Sequence, residues 1–234
     1  MTISNTCTLD LNGMTLDLGN NNLTVNTASG NLTIRDSTAT TAPIVSDDYS
    51  TVTYTAGEIK STTNPLYAFN AATITLESGK ITSTAGQGVV VGYYAAPRLK
   101  FSSSFVMNGG YIQSQEAGIF TAYESTAQIN GGVIKSDNNG CIMDNGSPGA
   151  AGTKGSTVNV TGGTLIADMQ TEGCVSIVIY RANKGTLNVT GGKLVSLKGT
   201  TIVARSGDVN ISGNTEMIAL GVVGKLKVNN TSSK

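Results

Sequence analysis

The sequence contains no histidine and no tryptophan, and only three of its 234 residues are cysteines. Without histidine, a Ser-His-Asp triad and a histidine general base are excluded, and the commonest metal ligand is missing. Cys7, Cys141 and Cys174 are too few and too scattered for a disulfide framework or a CxxC metal site. We therefore expect neither a metal nor any other cofactor.

Charge and long apolar runs are scarce as well. Lysine plus arginine number 15, aspartate plus glutamate also number 15, and charged residues make up 13% of the chain. A nucleic acid or an anionic membrane surface would require more positive charge, and no apolar run reaches the roughly 18 residues of a membrane span. The first residues lack the basic and apolar segments of a secretory signal. We expect no nucleic-acid or membrane partner, and a product that stays in the cytoplasm until assembly or lysis unless a signal has been removed.

A short phrase in which apolar and polar residues alternate before a glycine pair recurs along the whole chain. Clear copies are TVNVTGGTL at 157–165, TLNVTGGKL at 186–194 and AQINGGVI at 127–134. Alternation is strand geometry, and glycine permits the positive φ of a tight corner. The second apolar residue of each copy serves as a marker, and the commonest spacing between markers is 22 residues. The markers are Leu11, Ile34, Tyr54, Leu76, Met107, Ile129, Val160, Val189, Ile211 and Val228.

Each copy predicts a strand, a glycine corner and a second strand. The apolar residues five positions after the markers predict a second inward row, which comprises Leu16, Ala39, Ile59, Ile81, Ile112, Ile134, Leu165 and Leu194. A third apolar run, such as Val89–Val91, completes each coil. The fold class predicted is all-β: a single right-handed parallel β-helix of about ten coils over residues 1–234, with three short strands per coil. The chain can also be a segment of a larger protein.

The segments TLDLNGMTL at 8–16 and GNLTIRD at 30–36, with the serial Gly-Gly-x-Ile copies, resemble the β-helical repeats of Gram-positive surface proteins and gut-phage fibre proteins. These belong to the broad pectate-lyase-like β-helix superfamily. The resemblance covers nearly the whole chain and is more specific for architecture than for function. It implies adhesins, phage head and tail fibres, and polysaccharide lyases or hydrolases as functional classes.

From these classes, the lack of a secretory signal favours a non-enzymatic structural fibre or decoration protein on the surface of a phage virion. We expect it to contribute to attachment to a glycan-rich host or mucosal surface as a homo-oligomer, for example a trimer, that contacts other virion proteins. One alternative is the β-helical segment of a bacterial cell-surface or secreted adhesin, with cell-wall proteins as partners. The other is a polysaccharide-degrading enzyme.

Two groups of residues are candidates for function. Asp137 and Asp168 each lie eight residues beyond a marker, so they would stack on adjacent coils at a separation compatible with paired-carboxylate glycosidase chemistry. Both also lie where an insertion begins, and turn aspartates are expected there.

The candidate ligand-binding residues lie in the two longest intervals between markers, because recognition residues concentrate on loops. They are Tyr93, Tyr94, Arg98, Asp144 and Asn145.

Two further rows have less specific interpretations. Cys141 and Cys174 follow glycines at similar places in successive coils, in a row that we expect also to contain Val89 and Ile119. They could form a redox pair, but buried cysteine commonly packs as a small apolar residue.

Outward threonines and asparagines could form an ice-binding or sugar-binding face. Their irregular spacing instead favours hydrogen-bonded ladders along the stack, as at Asn159, Asn188 and Asn210.

Overall fold

The computed structural model describes residues 1–28, 30–92, 102–145, 155–169, 176–182, 184–221 and 227–228. Within these ranges the chain forms strands and turns and no helix. The strands make a nine-stranded and a fourteen-stranded parallel sheet, together with one antiparallel pair. The protein is therefore all-β with long parallel sheets, an arrangement consistent with a parallel β-helix.

The strands, numbered in chain order, fall on three faces. Face A consists of β1 (Thr2–Ile3), β4 (Leu23–Asn26), β9 (Leu66–Phe69), β12 (Val89–Val91), β15 (Ile119–Ala122), β18 (Ile142–Asn145), β21 (Ile177–Arg181), β23 (Thr200–Ala204) and β25 (Lys227–Val228). Face B consists of β2 (Cys7–Asp10), β5 (Asn31–Arg35), β10 (Thr73–Leu76), β13 (Ser104–Met107), β16 (Thr126–Ile129) and β19 (Thr157–Val160). Face C consists of β3 (Thr15–Asp17), β8 (Glu58–Ser61), β11 (Lys80–Ser83), β14 (Tyr111–Ser114), β17 (Val133–Ser136) and β20 (Thr164–Ala167).

Faces B and C are continuous at one end of the stack. The long strands β22 (Thr186–Ser196) and β24 (Asp208–Ala219) each run along face B, pass the corner and continue along face C. The antiparallel pair, β6 (Ile44–Val45) and β7 (Val52–Thr53), lies outside the parallel sheets.

The strand register confirms most of the predicted inward rows. On face B the markers pair from strand to strand, in the order Ile34, Leu76, Met107, Ile129, Val160, Val189 and Ile211. On face C the row runs Leu16, Ile59, Ile81, Ile112, Ile134, Leu165 and Leu194. The central members of both rows are fully buried and belong to one continuous core.

Three predicted markers and one residue of the second row are misplaced. Leu9, not Leu11, lies opposite Ile34, and Leu11 is instead buried at the following corner. Tyr54 follows the antiparallel strand β7, and Val228 lies on face A opposite Ala204. With Leu9 included, the described marker row has eight members, not the ten predicted. Ala39 is also outside its row, since Leu16 pairs directly with Ile59. Spacing alone could not distinguish an insertion from a coil.

Residues 37–56, which we call the arm, connect β5 to β8 and pack on the outer side of face C. The outward side chains Tyr111, Val133, Ile166 and Val195 are buried there, in a cluster with arm residues Val45, Tyr49, Val52 and Tyr54. The Lys193 Nζ atom lies 5.7 Å from the centroid of the Tyr49 ring, and the Tyr54 hydroxyl accepts the Gly79 N–H at 3.3 Å. The arm therefore covers an apolar strip that crosses several strands.

The base of the arm is held by the buried carboxylate of Asp36. Its Oδ1 atom accepts the Gly13 N–H at 2.9 Å, the Thr38 N–H at 3.0 Å and the Thr38 hydroxyl at 2.7 Å. Its Oδ2 atom accepts the Gly57 N–H. Burial raises the pKa of Asp36, but the hydrogen bonds from Gly57, Thr38 and Gly13 lower it by more, so the pKa lies below its ordinary value.

We expect Ile134→Asp to destabilise the protein by about 3–5 kcal/mol and to reduce soluble expression, because it places an unpaired carboxylate in the continuous core. The side chain of Ile134 is fully buried between Ile112 and Leu165. Thermal denaturation measures the effect. Thr190→Asp, at an exposed position, is the matched control and should change the stability by less than about 0.5 kcal/mol. A soluble Ile134→Asp protein with an unchanged Tm would show that this register is wrong.

We expect Asp36→Asn to cost about 1–3 kcal/mol near pH 7, because an amide replaces a carboxylate that accepts four hydrogen bonds. The folded-state pKa of Asp36 is lowered, so its contribution is complete above the unfolded-state pKa of about 3.9 and is lost as the pH falls through the folded-state pKa. Denaturant titrations from pH 7 to pH 2.5 should therefore show the difference between wild type and variant shrinking in acid. The exposed Asp208→Asn variant is the control. A pH-independent difference would contradict the assignment.

Candidate functional site

The predicted ligand-binding residues fall in two different environments. Tyr93, Tyr94 and Arg98 lie outside the described residues, directly after β12 and Gly92 on face A. Their role in binding stays a prediction. Asp144 and Asn145 were placed in a loop, and this placement is wrong, because both belong to β18 and the insertion begins after them.

Asp144 is not a surface residue. Its side chain is fully buried, and its Oδ2 atom lies 2.9 Å from Nε of Arg181, whose side chain is also buried. The Asp144 Oδ1 atom accepts the N–H of Ala182 at 2.5 Å. Because the Asp144 carboxylate is buried and bonded to Arg181 and Ala182, an external ligand cannot reach it. Its role as a surface ligand residue was predicted from its position in one of the two longest intervals between markers, and interval length does not reveal the buried cation.

The Asp144–Arg181 pair belongs to a polar network inside the stack. The Arg181 guanidinium donates to the hydroxyl of Ser156 at 3.2 Å and to the Ser156 carbonyl at 2.5 Å. The Ser156 and Thr121 hydroxyls are 3.0 Å apart, and Thr121 pairs in register with Asp144. Burial lowers the pKa of Arg181, while the Asp144 carboxylate acts in the opposite direction. The network replaces the apolar side chains that this inward row holds elsewhere, at Val25, Ala68 and Val91.

This network lies near the carboxyl ends of the face A strands β15, β18 and β21. Thr121 and Asp144 are near the carboxyl ends of adjacent face A strands, and Arg181 ends β21. A buried pair of this kind keeps its partners in one geometry, because either charge alone would be costly in the core. It is therefore suited to positioning the strand ends that precede the insertions. Sequence reasoning missed Arg181, because the irregular insertions hide its alignment with Asp144.

The candidate catalytic carboxylates do lie on adjacent strands. Asp137 and Asp168 follow the register pair Ser136–Ala167 on β17 and β20. The Lys135 Nζ atom lies 2.9 Å from Asp137, and the Lys198 Nζ atom lies 3.0 Å from Asp168. Each carboxylate therefore has its own cation, an arrangement typical of a structural ion pair. Catalysis by this pair stays a prediction that the geometry does not favour.

The cysteines also depart from the predicted row. Val89 pairs with Ile119 and Ile119 pairs with Ile142, so Cys141 is one residue out of register with them. Cys141 is a buried free thiol, with Sγ 3.5 Å from the Ile134 carbonyl oxygen, and burial raises its pKa. It packs as a small apolar residue, which is the interpretation that the sequence favoured. Cys174 lies outside the described residues, so its packing as a thiol stays a prediction.

A buried serine ladder was missed, although the sequence contained a signal for it. Ser61, Ser83, Ser114, Ser136 and Ser196 occupy one inward row at the end of face C, which Ala167 interrupts. Their hydroxyls bond to the backbone at the next corner; for example, Ser136 donates to the Glu116 carbonyl at 2.6 Å. Each of these serines follows two residues after a row member such as Ile134, and this spacing could have predicted the ladder.

A cleft lies between the arm and the corner that joins faces B and C. Its volume is about 280 Å³. The arm contributes residues 39–43 and Tyr54, and the corner contributes Glu77, Ser78, Asn108, Gly109, Gly110 and Gly132. Neither wall was predicted as a site, because Tyr54 was assigned to the core and Ala39 to an inward row. The cleft depends on the arm lying against the corner, which the repeat pattern does not contain.

Among the described residues no helix is long and apolar enough to cross a membrane. In the same ranges, no three or more cysteine, aspartate or glutamate side chains are grouped so that they could hold a metal ion.

We expect Arg181→Met to destabilise the protein by about 3–5 kcal/mol, because it leaves the Asp144 carboxylate buried without its cation. Asp144→Asn combined with Arg181→Met removes both charges and should recover much of the loss. Chemical denaturation of the two single variants and the double variant gives the coupling energy. Arg205→Met, at an exposed arginine, is the control. Single variants within about 1 kcal/mol of wild type would show that the pair does not stabilise the stack.

Comparisons with known proteins add no relative to this picture. The chain matches no protein-family model, no curated protein and no solved structure. Any functional argument for this protein therefore depends on its own residues and their geometry.

Proposed function

We propose that this chain is a right-handed parallel β-helix of about eight coils that serves as a non-enzymatic structural fibre or decoration protein on a phage virion. We propose further that it contributes to attachment to a glycan-rich host or mucosal surface. It would act as a homo-oligomer together with other virion proteins, and a trimer is the first state to test.

The observation that carries this proposal is the unbroken register of the inward rows. The row from Leu32 to Val209 passes through seven paired strands of face B, and the core behind it is continuous. Parallel strands stack at roughly 4.8 Å, so the result is an elongated scaffold with long lateral faces. Such a scaffold is well suited to hold outward segments in fixed positions, which is the requirement of a fibre or decoration protein.

The position of the insertions supports a role in attachment. Residues 93–101 and 146–154 follow β12 and β18, which are neighbours of the same strand, β15, on face A. Two strand spacings separate their starting points by roughly 10 Å. Tyr93, Tyr94 and Arg98 in the first insertion are residue types that often form the centre of an interface. We propose that these three side chains contact the surface glycan.

The ion pairs of Asp137 and Asp168 favour a structural role over polysaccharide cleavage. A retaining or inverting glycosidase needs one carboxyl group as an acid and another as a nucleophile or base. Asp137 and Asp168 instead each form an ion pair with a separate lysine, at 2.9 Å and 3.0 Å. Release of reducing ends from bacterial or mucosal polysaccharides, abolished by Asp137→Asn, would contradict the non-enzymatic proposal.

The location and the binding activity can be tested separately. Antibodies against the protein should label intact purified virions in electron micrographs, and the protein should co-sediment with capsid proteins. Recovery in a cell-wall fraction instead would support the adhesin. Binding of the purified protein to immobilised mucin should fall by at least about tenfold in Tyr93→Ala/Tyr94→Ala, with an unchanged Tm. Undiminished binding would remove these tyrosines from the proposed contact.

A further inference from the structure

We propose that the cleft between the arm and the corner of faces B and C binds a single neutral saccharide unit. This inference rests on the proposed attachment to a glycan-rich surface and adds a contact site separate from the face A insertions. A half-buried tyrosine ring, a carboxylate and a floor without side chains line a cleft of about 280 Å³. That volume lies just below the roughly 300–1,000 Å³ of drug-sized ligand sites and suits one sugar ring.

The floor of the cleft is main chain, because its glycines cannot carry side chains. A Cβ atom on Gly109 would lie 2.5 Å from the Glu77 carbonyl oxygen, and one on Gly132 would lie 2.6 Å from the Gly110 carbonyl oxygen. The stacking of successive corners thus imposes glycine at these positions. As a consequence, a ligand can approach the backbone closely and meet no side chain there.

One wall is a polar ladder in which the side chains hold each other in place. The Asn130 amide donates to Oδ1 of Asn108 at 2.8 Å, and the Asn108 amide donates to Oε1 of Glu77 at 2.9 Å. Glu77 and Asn108 are exposed. Within the described part of the chain, no lysine or arginine pairs with Glu77 and no donor reaches its Oε2 atom. The wall therefore offers a positioned, charged acceptor for a hydroxyl group.

The opposite wall supplies an aromatic surface. Tyr54 is half-buried in the cluster beneath the arm, and its hydroxyl accepts the Gly79 N–H at 3.3 Å. Both contacts fix the ring beside the cleft. A sugar ring has one apolar face of C–H groups and a rim of hydroxyls, so a cleft lined by an aromatic ring and a hydrogen-bond acceptor matches both features.

The charge of Glu77 selects among saccharides. The residues that line the cleft include one carboxylate and no cation. An acidic sugar would bring a second negative charge to Glu77 and would be repelled, whereas a neutral sugar would donate hydroxyl hydrogen bonds to it. We therefore assign the cleft to neutral sugars and expect it to exclude uronic acids.

The test is a titration of ¹⁵N-labelled full-length protein with methyl β-galactoside, N-acetylglucosamine and glucuronic acid, followed by NMR. A neutral sugar should shift the amide signals of Gly109, Gly110 and Gly132, and glucuronic acid should not. Glu77→Ala and Asn108→Ala should each weaken binding by about tenfold or more, with an unchanged Tm. Asn188→Ala, which removes an amide of a ladder outside the cleft, is the matched control.

The outcomes separate this inference from the proposed function. No shift at the three glycines with either neutral sugar, or shifts only elsewhere, would overturn the cleft assignment. Mucin binding by the same preparation would then leave the attachment proposal standing. Conversely, shifts at the glycines without any mucin binding would support the cleft and overturn attachment to mucosal glycans. Equal shifts with glucuronic acid would overturn the assigned selectivity for neutral sugars.

Discussion

Each described strand of the three faces is hydrogen-bonded in register to the strand of a neighbouring coil, and this constraint determines what every position can hold. A residue facing inward has the corresponding residues of neighbouring coils above and below it, so an apolar side chain is compatible with an apolar row. A polar residue in such a row must find a partner within the stack, because burial of an unpaired polar group is costly. The serine ladder meets this requirement through backbone carbonyls at the corner, as Ser136 does with Glu116. Asp144 and Arg181 meet it through each other.

The same register places a row of apolar side chains on the outer side of face C, and the arm covers them. Tyr111, Val133, Ile166 and Val195 point away from the core, yet they are apolar and buried. A strip of this kind on an open sheet face would be exposed to water without a cover. The arm supplies that cover through Tyr49, Val45, Val52 and Tyr54. Its attachment at Asp36 joins the Gly13 and Gly57 corners, so that a carboxylate positions an element that covers strands much later in the chain.

The sequence predicted the parts of the fold that repeat and failed at the parts that occur once. The inward rows and the ladder from Asn159 through Asn188 to Asn210 were correct, because the same phrase recurs wherever the same geometry does. Tyr54 was misassigned because its surroundings imitate the phrase while its chain segment leaves the stack. Asp144 was misassigned because it lies in one of the two longest intervals between markers, which predicts a loop, and its buried partner Arg181 comes from another strand. Long-range pairs between unique residues leave no periodic signal in one sequence.

This division between repeated and unique residues also bears on recognition. The outward asparagines on face B satisfy each other, with amide-to-carbonyl distances of 2.8 Å and 2.9 Å, and similar side chains recur along that face. A repeated neutral face offers the same weak contacts at every coil and so discriminates little between ligands. Discrimination requires groups whose hydrogen bonds are unfulfilled and whose position is unique along the stack. Among the described residues, Glu77 has one carboxylate oxygen without a donor and lines the cleft together with Tyr54 of the arm, which is why we propose the sugar contact there and not on the repeated face.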